Sequence, residues 1–138
     1  MLIPHRADVA AWFLWLALAV ALQLAAGAVE AGEPVTVVDA KGRELIVPQA
    51  RRILTLGPDV TEIVYALGEG TRIAAVDRSS RFPQDTASKA NVGYRRQLSA
   101  EGIIATMPDL ILASEDIGPP ETIELLKVLE ILGVFVPE

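Results

Sequence analysis

The sequence predicts an α/β fold in which a parallel central sheet is flanked by helices. Short apolar runs alternate along the chain with segments whose apolar residues recur at helical spacing, and this alternation is typical of β and α elements that follow one another. The runs also end in turn residues, as Ile53 to Leu56 ends at Gly57-Pro58. Such short, bounded apolar runs indicate strands that are buried on both faces.

The first 31 residues have the pattern of a secretory signal peptide. His5 and Arg6 precede an apolar run from Val9 to Leu22, and a run of small residues follows at 25–28. The alternative is a membrane anchor, but fourteen apolar residues are short for a span of about 20 residues. We therefore predict that residues 1–31 are a cleaved signal peptide and that the mature protein is exported.

Composition excludes several kinds of site. The chain has no cysteine, so it has no disulfide, no thiolate metal site and no lipid-modified cysteine, and it is not a lipoprotein. Its formal net charge of −6 makes nucleic acid a poor partner. The single histidine, His5, lies in the segment that we expect to be removed after Ala28 or Ala31. Without an imidazole, a serine nucleophile has no evident base, and we predict that the protein is not an enzyme.

Two short β-like pieces open the mature chain, at 34–40 and 44–48, and Lys41-Gly42 between them predicts a hairpin turn. The strand at 53–56 follows. Asp59 and Glu62 then have the spacing of a capping box at the start of a helix.

The apolar face of that helix is predicted from Val60, Ile63, Val64 and Leu67, and Gly68 supplies its stop. The next strand, 71–76, closes a βαβ unit with a right-handed crossover.

The second half of the chain continues the alternation. A polar loop or broken helix is predicted from Asp77 to Asn91, and Ser99 caps a short helix that ends near Thr106. A buried strand from Asp109 to Ala113 comes next. Pro119 or Pro120 starts a helix that Gly133 ends, and Val134 to Val136 starts a further strand.

The predicted ligand-contacting loop lies in Val92 to Gly102, which contains a glycine, a tyrosine and two adjacent arginines. Ligands of parallel sheets bind beyond the carboxyl ends of the strands. Three turns qualify for this rim, at 57–59, 77–80 and 114–118, and the loop lies between the last two. We expect it to lie on the same rim.

Each candidate residue has a functional and a structural interpretation. Tyr94 can stack, donate a hydrogen bond or coordinate ferric iron as phenolate, or it can lie across its own lobe with its hydroxyl in water. Arg95 and Arg96 can bind carboxylates, or they can form a solvated basic pair. Glu62 can face a partner protein, although its predicted capping role also accounts for it.

From about Arg51 to Glu138 the sequence resembles the periplasmic haem-binding proteins of bacterial haem ABC importers, in the long-helix class of periplasmic binding proteins. The segments that carry the resemblance are RRILTLGPDVTEIVYALGEGTRIAAVD, VGYRRQLSAEGI and MPDLILASEDIGPPE. The resemblance implies that Tyr94 coordinates the haem iron and that Arg96, rather than Arg95, faces a propionate. It also implies that Glu62 docks onto the importer permease in the inner membrane, with an outer-membrane haem uptake system as a further partner.

The resemblance further implies that residues 32–138 are a single Rossmann-like lobe, the N-terminal half of a two-lobe protein, with the C-terminal lobe absent. Such a lobe is expected to capture haem and deliver it to the importer, as a truncated product or together with a second polypeptide. Two alternatives stay open. The same fold can serve an iron-siderophore or cobalamin, or the chain can be an inert truncated fragment.

Overall fold

The structure is a computed structural model and describes residues 32 to 137. The predicted signal peptide, residues 1–31, lies outside the described residues. A hairpin comes first, in which β1 (Val35–Val38) pairs antiparallel with β2 (Glu44–Val47), so the predicted turn at Lys41-Gly42 is confirmed. Within residues 32 to 137 no helix has the length and apolar character needed to cross a membrane.

The main sheet is formed by five parallel strands: β3 (Ile53–Leu56), β4 (Ile73–Val76), β5 (Ala90–Asn91), β6 (Leu110–Ala113) and β7 (Gly133–Phe135). Their order across the sheet is β5-β4-β3-β6-β7. The order places β3 at the centre, and all four of its residues are buried. The predicted α/β class with a parallel sheet is therefore confirmed.

Helices cover both faces of this sheet. The helices are α1 (Pro58–Ala66), α2 (Ala100–Ala105) and α3 (Pro120–Val128). On one face, Val64 of α1 packs with residues of β4. On the other, α2 and α3 bury Ile103 and Leu126 against the alternate side chains Leu54 and Leu56 of β3. Successive strand residues point to opposite faces, so a strand of only four residues serves two cores.

Several predicted helix ends are confirmed. Ser99 is the N-cap of α2, and its Oγ accepts a hydrogen bond from the Gly102 N–H at 3.3 Å. Pro120 is the first residue of α3, a position where the missing N–H of proline costs nothing. Gly68 has a φ of +82° and follows α1, as expected of a residue that ends a helix in the left-handed region.

The predicted capping box of α1 is wrong. The helix begins at Pro58, its N-cap is Gly57, and no side chain caps it. Pro58 is suited to the first helical position because its φ is fixed near the helical value, so Asp59 lies inside the first turn. The predicted capping role of Glu62 is thereby lost.

The predicted apolar face of α1 is also partly wrong. Val60, Thr61 and Val64 are buried, whereas Ile63 and Leu67 are 49% and 72% exposed. The physical reason is the hydroxyl of Thr61, which donates to the Gly57 carbonyl at 2.9 Å and lies 2.8 Å from the hydroxyl of Thr55. These bonds hold a polar side chain against the sheet.

Two further boundaries differ from the predictions. Helix α3 ends at Val128, and Gly133 is instead the first residue of β7; Glu130, with a φ of +58°, turns the chain earlier. In the segment predicted as a loop or broken helix at 77–91, the 3-10 helix Gln84–Ser88 agrees with the prediction, whereas the short edge strand β5 was not predicted. A two-residue strand is below the length at which alternation can be read from a sequence.

Candidate ligand-binding rim

The turns that follow β3, β4 and β6 meet at the carboxyl edge of the sheet. The Gly57 N–H donates to Asp77 Oδ1 at 3.0 Å, and the Ser114 hydroxyl donates to the Leu56 carbonyl at 3.2 Å. The predicted rim is therefore formed by these three turns. Gly57 has a φ of +122°, and a Cβ at this position would lie 2.7 Å from both Asp59 Oδ1 and Ser114 Oγ, so the rim requires glycine here.

A buried carboxylate organises the rim, and our sequence reasoning missed it. Asp77 is 0% exposed, and its carboxylate accepts hydrogen bonds from the Ser80 hydroxyl at 2.5 Å and from the Ser79 N–H at 2.9 Å. The Thr61 hydroxyl of α1 lies 2.9 Å from the Ser80 hydroxyl. Asp77 therefore ties the turn after β4 to the start of α1. The sequence feature that indicates this carboxylate is an acidic residue directly after a buried strand, with serines two and three positions further on.

The loop Gly93 to Arg96 is held on this rim by backbone hydrogen bonds. The Arg78 N–H donates to the Gly93 carbonyl at 2.8 Å, and the Gly118 N–H donates to the Arg95 carbonyl at 2.8 Å. The loop thus bridges the turns after β4 and β6, as its place in the sequence predicted. Gly93 and Arg95 therefore have a structural role, as hydrogen-bond acceptors, that was not predicted from the sequence.

Tyr94 is half exposed on this loop, at 51%. It lines an open groove of about 400 Å³ together with Ser79, Arg95, Arg96 and Gln97. The guanidinium carbon of Arg78 lies 4.9 Å from the centre of the Tyr94 ring, within the range of a cation–π contact. The contact with Arg78 was not predicted, because the two residues are far apart in sequence and only the rim brings them together.

Arg95 and Arg96 share one carboxylate, that of Asp116. The Nη2 atoms of Arg95 and Arg96 lie 2.9 Å and 2.5 Å from Asp116 Oδ2. Partial burial of Asp116 would raise its pKa, but the hydrogen bond from Arg96 and the charges of both arginines lower that pKa below the ordinary value of 3.8. The arginine side chains differ in exposure, at 27% for Arg95 and 70% for Arg96, so Arg96 is the more accessible to a ligand.

Glu62 is exposed on α1 and is not among the residues that line the Tyr94 groove. It lines a second open groove whose wall is partly apolar, with Ile63 and the 66% exposed Phe82. Asp59 adds a further carboxylate to the same groove. The structure therefore presents Glu62 in a surface that combines negative charge with exposed apolar side chains.

The fold and the rim together define an α/β lobe whose candidate ligand site lies at the carboxyl edge of a parallel sheet. Residues 53 to 135 match the family described as periplasmic binding protein. The chain belongs to the periplasmic binding protein family.

Relatives and solved structures carry two kinds of ligand in their names. A vitamin B12-binding protein of Vibrio parahaemolyticus is 36% identical over 76 residues, which are 55% of this chain and 28% of that relative. The periplasmic heme-binding protein RhuT of Roseiflexus sp. RS-1 shares 38% identity with a TM-score of 0.61, over 64% of this chain and 34% of that one. The periplasmic vitamin B12 binding protein BtuF of Vibrio cholerae shares 32% identity with a TM-score of 0.57, over 62% of this chain and 34% of that one. The chain thus spans about a third or less of the length of these proteins.

Proposed function

We propose that this chain is the haem-capturing lobe of a periplasmic binding protein that delivers haem to an ABC importer in the inner membrane. The observation that carries the proposal is the half-exposed phenol of Tyr94 in an open groove lined by Arg95 and Arg96. A tyrosine phenolate is a known axial ligand of haem iron, and an arginine guanidinium matches a carboxylate in geometry and charge. In this proposal Tyr94 binds the iron, and Arg96, supported by Arg95, binds a propionate.

Charge at the rim supports haem over cobalamin. Arg95 and Arg96 line the groove and both pair with the one carboxylate of Asp116, and such a pair of guanidinium groups suits an anionic ligand. Haem carries two propionates, whereas the side chains at the edge of the corrin ring of cobalamin are neutral amides. A guanidinium gains more from a carboxylate than from a neutral amide, because charge-assisted hydrogen bonds are the stronger kind.

Cobalamin is the second candidate because the 36% identical relative is a vitamin B12-binding protein. In that case Tyr94 stacks on or hydrogen-bonds to the corrin and no iron is bound. The two ligands predict different spectra, which makes them separable by one titration.

Titration of the purified chain with ferric haem and, separately, with cyanocobalamin tests the proposal. We expect haem to produce the charge-transfer absorption of a ferric phenolate complex and Tyr94→Phe to abolish it. Tyr65→Phe is the matched control, since Tyr65 is the other tyrosine of the chain and its hydroxyl donates to Asp85 at 2.7 Å. Binding of cyanocobalamin together with no spectral change on haem addition would overturn the proposal in favour of cobalamin.

We propose that the groove containing Glu62 is the surface that docks onto the permease. Its carboxylates and the exposed side chains of Ile63 and Phe82 suit a partner that presents basic and apolar groups. Residues 1–31 would act as the signal peptide that brings residues 32–138 to the periplasm, where such a permease is accessible.

The docking role has its own test. Glu62→Ala is expected to weaken binding to the permease in detergent or nanodiscs while haem titration is unchanged. Glu101→Ala is the control, because Glu101 is an exposed acidic residue on α2, which packs on the opposite face of the sheet. Equal binding by the Glu62→Ala and Glu101→Ala variants would count against this surface.

A further inference from the structure

We infer that Arg78 is a positioning residue for Tyr94: the Arg78 guanidinium lies over the phenol ring and holds that ring in place for the haem iron. The inference rests on the proposed function, since it concerns the same site. It adds a residue that lies sixteen positions before Tyr94 in the chain and outside the segment that carries the tyrosine.

The contact uses the face of the ring and leaves its edge open. The guanidinium carbon of Arg78 lies 4.9 Å from the ring centre of Tyr94, and a cation in this position is attracted by the π-electrons of the ring. The phenol oxygen lies in the ring plane and is therefore not covered by a cation above the face. Arg78 can stabilise the ring while the oxygen remains available to a ligand.

The backbone of Arg78 is fixed on both sides, so the contact does not depend on a mobile loop. Its N–H donates to the carbonyl of Gly93 at 2.8 Å, which joins it to the residue directly before Tyr94. Asp77 before it is fully buried, and the Ser79 N–H after it donates to Asp77 Oδ2 at 2.9 Å. A side chain on such a braced turn loses less entropy when it is held in one place.

The charge of Arg78 is not shared with a carboxylate of the described chain. Arg95 and Arg96 both pair with Asp116, whereas Arg78 has no ion pair with any residue from 32 to 137. A guanidinium that is not shared with a carboxylate is free to interact with the face of the aromatic ring. Arg78 is therefore the cation placed to hold the Tyr94 ring when haem binds.

Three variants test the role of Arg78, with ferric haem as the probe. Arg78→Gln removes the charge, Arg78→Lys keeps it, and Arg81→Gln removes the charge of an exposed arginine in the same loop. We expect Arg78→Gln to speed the transfer of haem to apomyoglobin by about three- to tenfold, as loss of a cation–π contact would. Arg78→Lys should restore part of the effect, and Arg81→Gln should match the wild type.

The reduction potential of the bound haem separates an electrostatic role from a structural one. A nearby positive charge favours the reduced iron, so the midpoint potential should become more negative in Arg78→Gln and stay unchanged in Arg81→Gln. Haem dimethyl ester, which has no charged propionate, should show the same acceleration in Arg78→Gln. If the acceleration disappears with the ester, Arg78 acts on a propionate and the inference is overturned.

The inference and the proposed function can fail separately. If Tyr94→Phe abolishes the phenolate absorption but Arg78→Gln matches Arg81→Gln in haem loss and potential, the inference fails while the haem site stands. If Tyr94→Phe leaves the absorption intact, the proposed ligation by Tyr94 fails and the inference fails with it.

Discussion

The Asp116 carboxylate holds the guanidinium of Arg96, with Oδ2 only 2.5 Å from Nη2. Arg95 reaches the same oxygen at 2.9 Å. An anionic ligand that binds Arg96 therefore meets a carboxylate of the protein in the position that its own carboxylate would take. Asp116 is at once a support that orients the two arginines and a competitor for them.

Asp116→Asn is expected to tighten haem binding, because the competing negative charge is removed while an amide oxygen still accepts from Arg96. The gain should be roughly two- to fivefold, the scale of a partly exposed ion pair, and it should shrink as salt is added. Equilibrium titration with ferric haem measures it, and Glu115→Gln, at the exposed neighbouring acid, is the control. Weaker binding by Asp116→Asn would show that orientation of the arginines matters more than competition.

The lowered pKa of Asp116 also implies that the free energy of unfolding depends on pH. Its folded pKa lies below the ordinary value of 3.8 because the hydrogen bond from Arg96 and the charges of both arginines outweigh the effect of burial. A depressed folded pKa means that the ionised carboxylate stabilises the fold above the unfolded pKa, and that this stabilisation is lost as the pH falls through the folded value. Urea melts at about pH 6 and about pH 3 should therefore show the wild type losing its advantage over Asp116→Asn at the lower pH. A constant difference between them would contradict this linkage.

Local patterns were enough to predict the order of elements but not their side-chain contacts. The strand at 53–56, the cap at Ser99 and the start of α3 at Pro120 depend on neighbours within a few residues. The burial of Thr61 depends on partners in β3 and in the turn after β4, which no helical period can reveal. These tertiary hydrogen bonds orient α1 so that Thr61 faces the sheet, and Ile63, next to Glu62, is exposed.

In the candidate site, too, the position of the main residue was predictable from the sequence, but its side-chain partners were not. The place of Tyr94 on the rim follows from the topology of a parallel sheet, which the alternation of elements predicts. Arg78, Asp77 and Asp116 were not predicted as partners, since each contact joins turns that follow different strands. Which cation meets which carboxylate or ring is decided by strand register and turn length, which short sequence patterns do not specify.

Tyr65 is expected to titrate as an unusually weak acid. Burial and the hydrogen bond to Asp85 raise the pKa of Tyr65 to about 12. In a Tyr94→Phe background Tyr65 is the single tyrosine of the chain, so the ultraviolet absorption of phenolate reports it alone. Asp85→Asn should move this titration to lower pH, because the neighbouring negative charge no longer opposes ionisation. Circular dichroism at each pH serves as the check for unfolding, and an unchanged midpoint in Asp85→Asn would refute the assignment.

Leu54→Ala tests the importance of the central strand. Leu54 is 0% exposed in β3 and belongs to the core beneath α2 and α3. Removing a buried leucine side chain costs about 2–5 kcal/mol through lost burial and the cavity left behind. Val128→Ala, at a position that is 76% exposed, should change the free energy of unfolding by no more than about 0.5 kcal/mol. Denaturant melts measure both, and similar losses in the two variants would be inconsistent with this core.

Gly57→Ala tests whether the rim depends on a glycine for close approach as well as for backbone conformation. Gly57 has a φ of +122°, and an added Cβ would lie 2.7 Å from Asp59 Oδ1 and from Ser114 Oγ. Gly68 has a φ of +82° but nothing within 4 Å of such a Cβ. Gly68→Ala therefore reports the cost of the backbone conformation with little contribution from steric contact, about 1 kcal/mol or somewhat more.

We expect Gly57→Ala to lower the free energy of unfolding by about 1–3 kcal/mol beyond Gly68→Ala, the cost of strain at a crowded site. The added methyl group pushes apart the turns after β3 and β6, and the Gly57 N–H that binds Asp77 at 3.0 Å moves with them. Haem affinity should therefore fall in Gly57→Ala and remain at the wild-type level in Gly68→Ala, because Gly68 lies beyond the far end of α1 from the rim. If the two variants are equally destabilised and bind haem equally well, the added methyl group at Gly57 does not disturb the rim, and the prediction is wrong.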